Sequence, residues 1–306
     1  MQKIAIIGAG RVGEASAQFI AAGRLCREIA LVDIHDGPPK GVALDLQQTG
    51  LVLDSDTHLS GSSDYASIAG AGLVIVTAGL PRKPGMSRSD VLESNVQILD
   101  SVVEQVMRYA PDSMLLIVSN PVDVLTYRAW KKTGWARNRI FGQAGILDSS
   151  RMAAFIASET GLSISDITTM VLGGHGDNMV PLPRYCTING VPISHFIETK
   201  RLDEIIQRTR DGGAEILGLR QNSSAYDAPG VAVTAMVESI VLDRKRLLPC
   251  VALLDGEFSQ SDIAIGVPCV LGRNGVERVV DLDLDDDERA NFEHSVASLR
   301  TDMALL

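Results

Sequence analysis

The chain has 306 residues, 45% of them hydrophobic and 22% charged, and carries a net charge of −10. That balance argues against disorder and supplies enough material for two modest domains or one large α/β unit. The acidity argues against a nucleic-acid or anionic-membrane surface, so any site for an anion must be built from locally clustered arginines.

In chain order, residues 3–7, 29–34, 73–77 and 114–118 are short runs rich in Ile, Val and Leu. Such runs are expected of strands buried on both faces. Helical periodicity lies between them at 12–22, 41–51 and 90–109. The alternation predicts a parallel, doubly wound Rossmann sheet with helices on both sides. After about Phe141 the pattern loosens, and an α+β substrate or catalytic domain is expected. Helices are expected over 148–160 and 203–219, and another following Pro229, whose fixed φ suits a first helical turn. Residues 256–275 read as strands and turns, including 263–267 and 269–271. Asp285-Asp286-Asp287-Glu288 then marks the start of a final helix, where acids favour the positive end of the dipole. The division is placed at 1–143 and 144–306.

The first strand begins almost at the initial Met, so no signal peptide is expected ahead of it, and no apolar run reaches membrane-spanning length. Cys26, Cys186, Cys250 and Cys269 are widely spaced with no C-x-x-C pair. Buried free thiols in a reducing cytosol are expected rather than a metal site or a disulfide framework. A cytoplasmic protein without a metal, a membrane or a nucleic acid as partner is therefore expected.

Gly8-Ala9-Gly10-Arg11-Val12-Gly13 follows the first strand directly. Gly8 allows a sharp turn, Gly10 a close backbone approach to a pyrophosphate, and Gly13 helix packing on the sheet. Asp33, twenty residues after Gly13, can accept both ribose hydroxyls of NAD and would repel the extra phosphate of NADP. A glycine turn with an incidental acid is the competing reading. Pro81-Arg82-Lys83-Pro84-Gly85-Met86-Ser87-Arg88 is a basic loop at the carboxyl edge of the sheet, where open α/β folds bind ligands. Asn120-Pro121 ends the next strand at the same edge. Asp148 and Arg151 share a helix face. His175 lies in Gly173-Gly174-His175-Gly176-Asp177, which allows unusual backbone angles, whereas His35, His58, His195 and His294 read as surface residues. Holding a nicotinamide, moving a proton and clamping a carboxylate are the tasks of a hydroxy-acid dehydrogenase.

These residues resemble the malate dehydrogenases of the lactate dehydrogenase-like branch over nearly the whole chain. The matching stretches include Gly8-Ala9-Gly10-Arg11-Val12-Gly13, Asp33, Thr77-Ala78-Gly79, Asn95, Val118-Ser119-Asn120-Pro121, Gly145-Ile146-Leu147-Asp148-Ser149-Ser150-Arg151 and Ser224-Ala225-Tyr226. The resemblance implies that His175 exchanges a proton with the substrate oxygen and that Asp148 orients it. It implies that Arg151 holds the C1 carboxylate, that Arg88 and Asn120 meet the reacting carbonyl, and that Arg82 meets a second carboxylate. Asn95 and Val118, Ser119 and Asn120 would line the nicotinamide side of the cleft. It further implies a cis Asn120-Pro121 bond, malate and oxaloacetate as substrates, a place in the tricarboxylic acid cycle, and a homo-oligomer, tetramer over dimer. A lactate or other 2-hydroxy-acid dehydrogenase is the nearest alternative, and an inactive NAD sensor is the alternative of another class. Three positions depart from the family pattern: Gln143 for a common methionine, Asp227 for a second tyrosine after Tyr226, and Gly230 for an alanine.

Overall fold

The structure is a computed structural model that describes residues 1–80 and 88–306, with the backbone alone for 88–90. The first half runs β1 (Lys3–Ile7), α1 (Arg11–Ala22), β2 (Glu28–Val32), α2 (Gly37–Gln48), α3 (Gly50–Leu53), β3 (His58–Ser62) and β4 (Leu73–Val76), then α4 (Arg88–Tyr109), β5 (Met114–Ile117), α5 (Val122–Thr133) and β6 (Ile140–Gly142). The second half continues with α6 (Gly145–Thr160), β7 (Ile167–Thr168), β8 (Val171–Gly173), β9 (Met179–Pro181), β10 (Thr187–Ile188) and β11 (Val191–Pro192). It ends with α7 (Thr199–Arg220), α8 (Asp227–Val241), β12 (Arg246–Asp255), β13 (Ser261–Gly272), β14 (Gly275–Val279) and α9 (Asp286–Met303).

The first six strands lie in the order β3-β2-β1-β4-β5-β6, and every neighbouring pair among them is parallel. This is the doubly wound arrangement expected from the alternating pattern. The strand order reverses between β1 and β4, which opens the crevice at their carboxyl ends. Every residue of β4 and β5 is buried, as strands covered by helices on both faces must be.

The sheet does not stop at β6. It continues antiparallel through β12, β13, β8 and β9, with β14 beside β13, while β11-β10-β7 form a small separate sheet. One apolar cluster runs through both halves and contains Ile4, Ile75, Leu116, Val251 and Ile265. A smaller one, with Met152, Ile156, Ile188 and Ile205, lies between α6, α7 and the small sheet.

Several elements differ from the sequence reading for identifiable reasons. Residues 263–267 and 269–271 belong to one strand, because Pro268 sits within β13 opposite Pro249 of β12. A proline donates no ladder bond, so it reads as a break. α2 starts at Gly37 rather than Gly41, since Pro38 and Pro39 fall in its first turn, where the missing N–H costs nothing. α6 starts three residues before Asp148, which places that carboxylate in the first turn. α9 begins where the acid cluster indicated, and Asp285 and Glu288 close a reciprocal capping box. All four cysteines are free and buried, and burial pushes the Cys26 thiol up to about 12 and Cys186 to about 11. No helix among the described residues is long and apolar enough to cross a membrane.

Candidate active site

The carboxyl edge around β1 is built mainly from backbone. Gly8 has φ +109°, and its N–H donates to the Val32 carbonyl at 2.7 Å, so the chain leaves β1 against the end of β2. A Cβ on Gly13 would lie 1.9 Å from the Gly8 carbonyl oxygen, so only glycine permits α1 to start this close to the strand. Around Gly10, by contrast, nothing lies within 4 Å of an added Cβ. Gly10 is the N-cap of α1 and supplies no side-chain cap, so the first N–H groups of the helix remain for an anion.

The edge is tied together by short contacts. The Ala9 N–H donates to Asp33 Oδ2 at 2.8 Å. Thr77 Oγ1 donates to the Gly8 carbonyl at 3.0 Å, and Ser119 Oγ donates to the Ala78 carbonyl at 2.5 Å. Asn95, buried on α4, accepts from the Leu80 N–H at 2.7 Å and donates to the Leu80 and Asn120 carbonyls. Its amide therefore joins the ends of two strands. An open cradle at Gly10, exposed helix amides and an acid at the end of β2 fit a dinucleotide.

The second group is built from charge. Asp148 is 1% exposed, and its two oxygens have different partners: Oδ2 meets His175 Nδ1 at 2.9 Å, and Oδ1 accepts from Arg151 Nη1 at 3.1 Å. An ionised carboxylate only accepts, so Nδ1 of His175 carries the hydrogen and Nε2 is left for proton exchange. Arg151 Nε is buried without a partner among the described residues. Burial works against the imidazolium of His175, but the carboxylates of Asp148 and Asp123 outweigh it, and the pKa lies above the ordinary 6.5.

The loop carrying His175 is held from two helices, α5 and α9. Gly173 and Gly176, at φ +82° and +106°, bracket it, a backbone path that favours glycine. The Gly174 N–H donates to Ser295 Oγ of α9 at 2.8 Å, and Asn178 Nδ2 donates to Ser298 Oγ of α9. The His175 N–H donates to Asp123 Oδ2 of α5 at 2.9 Å. Asp123, Ser295 and Ser298 were absent from the sequence reading. Proximity to Asn120-Pro121 was the available signal for Asp123, whereas nothing local marks the serines.

His35, His58, His195 and His294 are exposed as expected, and the Asn120-Pro121 bond is cis. Arg82 lies outside the described residues, and so does the side chain of Arg88, whose backbone opens α4. The three departures each have a local setting. Gln143 is buried, and its Nε2 has no partner among the described residues. Gly230 brings α8 so near α1 that an added Cβ would lie 2.8 Å from Ala15 Cβ. Asp227 holds Arg220 at 2.7 Å, and the Tyr226 ring lies under both Arg220 and Arg11, at 4.1 and 5.3 Å.

Residues 2–142 match the model of the lactate/malate dehydrogenase NAD-binding domain, and residues 146–305 match that of the lactate/malate dehydrogenase alpha/beta C-terminal domain. The malate dehydrogenase of Thioalkalivibrio sulfidiphilus is 62% identical over 99% of each chain. That of Nitrosococcus oceani is 57% identical over 100% of this chain and 98% of its own. Among solved structures, malate dehydrogenase from Picrophilus torridus superposes with a TM-score of 0.97 at 42% identity, covering 99% and 97% of the two chains. Lactate dehydrogenase from Cryptosporidium parvum, complexed with lactic acid and nicotinamide adenine dinucleotide, reaches 0.96 at 36% identity over the same shares. Backbone shape alone therefore does not choose between the two substrates.

Proposed function

This chain belongs to the lactate/malate dehydrogenase family, and we propose that it is an NAD-dependent malate dehydrogenase interconverting (S)-malate and oxaloacetate. The observation that carries the reading is Asp148 bridging His175 and Arg151, a proton carrier and a carboxylate clamp held by one buried acid. Bound NAD supplies the acceptor or donor of the hydride. In oxidation His175 Nε2 takes the hydroxyl proton of malate, and in reduction it returns a proton to the developing alkoxide. Asp148 keeps Nδ1 protonated and stabilises the imidazolium. Arg151, its guanidinium steadied by Asp148, pairs with the C1 carboxylate.

Gly8, Ala9, Gly10, Arg11, Val12 and Gly13 would cradle the diphosphate, and Asp33 the ribose. Thr77, Ala78, Gly79, Val118 and Ser119 form the strand ends beside the nicotinamide, with Asn95 acting by joining those ends. Asn120 and Arg88 would polarise the reacting carbonyl, and Arg82 would select a second carboxylate. We place the division between cofactor and substrate halves at 143/144. The family context supports a cytoplasmic homo-oligomer, a tetramer in preference to a dimer, serving the tricarboxylic acid cycle.

Substrate choice is the part most open to test. A desolvated, charge-assisted contact between Arg82 and the second carboxylate is worth about 2–5 kcal/mol, or tens- to thousands-fold in kcat/KM. Steady-state assays with NADH and either oxaloacetate or pyruvate should show oxaloacetate strongly preferred. Arg82→Gln should depress oxaloacetate turnover selectively, whereas equal losses on both substrates would reassign Arg82 to loop closure or catalysis.

A further inference from the structure

Asp123 has no part in the proton relay just described, yet its surroundings are unusual for an acid. It sits in the first turn of α5 and is only 3% exposed. One oxygen, Oδ2, accepts from the backbone N–H of His175, and the other, Oδ1, is buried without a partner among the described residues. A buried carboxylate missing a partner is costly and is expected only where its charge or its shape is used. Replacing it by an apolar residue would remove that cost but would also leave the His175 N–H unsatisfied.

Among the described residues, the charged groups facing this pair are few. Asp148 and Arg151 come from α6, and Asp123 and His175 face one another. α9 contributes Ser295, which is neutral, and β13 contributes the Gly266 backbone paired with Gly173. Asp123 is thus the second anion beside the imidazole.

We propose that Asp123 is a positioning residue for His175, fixing the backbone of its loop through Oδ2 and adding a second negative charge that holds the proton on the ring. The two effects separate by substitution. Asp123→Asn keeps an oxygen for the His175 N–H but removes the charge, whereas Asp123→Ala removes both. Burial raises the Asp123 carboxyl to about 6, so around neutral pH the charge is substantially present.

This inference rests on His175 being the proton carrier. The test is the pH profile of oxaloacetate reduction with NADH, measured with NADH affinity by fluorescence. Removing an anion disfavours the imidazolium, so Asp123→Asn should move the loss of turnover to lower pH by about half a unit to one unit, the effect of one partly screened charge nearby. Asp123→Ala should add a fall in kcat on the order of tenfold at all pH values, partly restored in Asp123→Asn, with NADH affinity retained in both. A wild-type midpoint in Asp123→Asn overturns the inference, and that variant alone decides it if Asp123→Ala does not fold. If His175→Asn itself retains turnover, the functional reading fails; if His175→Asn is inactive while the Asp123→Asn midpoint is that of wild type, only this inference fails.

Discussion

The two halves of the candidate site solve their tasks with different materials. At the end of β1 the surface is shaped by glycines and by side chains that bind backbone: Gly8, Gly13, Thr77, Ser119 and Asn95. Around His175 the same job falls to charged side chains: Asp148 meets the ring and holds Arg151, and Asp123 meets the loop. A backbone cradle tolerates changes in pH but not added volume. A charge cluster has room for isosteric change but responds to every altered proton.

The largest break in this comparison is expected at His175. His175→Asn should lower turnover by about 10²- to 10⁴-fold while leaving NADH affinity near wild type, because the cradle lies on other strands. With His175 as the proposed proton carrier, oxaloacetate reduction in the native protein is expected to need the protonated ring. It should therefore decline as pH rises through a midpoint above 6.5, and malate oxidation should rise over the same interval. Retention of a third of wild-type turnover in the variant would remove His175 from the reaction.

The reciprocal break is Gly13→Ala. Its Cβ would lie 1.9 Å from the Gly8 carbonyl oxygen, and the rearrangement should cost about 1–3 kcal/mol. If that falls on the binding-competent loop, NADH affinity drops roughly five- to 150-fold with no movement of the pH midpoint. A shifted midpoint would show that the two regions are coupled more closely than their separate construction implies.

The smallest effect lies between them. Gln143 follows β6 with its buried Nε2 unpartnered among the described residues, a deficit of about 1–3 kcal/mol. Gln143→Met should raise Tm by a few degrees without changing NADH affinity or the pH midpoint. A fall in Tm would mean that the amide has a partner after all, such as a trapped water.

The same contrast explains how much could be read from the residues beforehand. The glycine loop, the acid after β2 and the alternating strands are local patterns, and a parallel sheet follows from them. His175 stood out because its glycines are adjacent in the chain, and the Asp148–Arg151 pair because helical spacing puts both on one face. Asp123, Ser295 and Ser298 hold the His175 loop across 52 to 121 positions, and no local pattern encodes such a meeting. β12 escaped because Pro249 interrupts its apolar run, and α5 because Pro121 immediately before it reads as a break. Gly230 shows the same limit. Its purpose is an approach between α1 and α8 that only the folded chain displays.

The sheet and the larger apolar cluster pass through both halves without interruption, and this has a consequence for folding. Melting either half would strip cover from residues such as Val251 or Leu116 in the other, so the chain should unfold as one cooperative unit. A ligand held only by the first half then protects the second half by the same RT ln(1 + [L]/Kd). The loop that carries His175 would thus draw its persistence partly from a dinucleotide bound at another edge of the sheet.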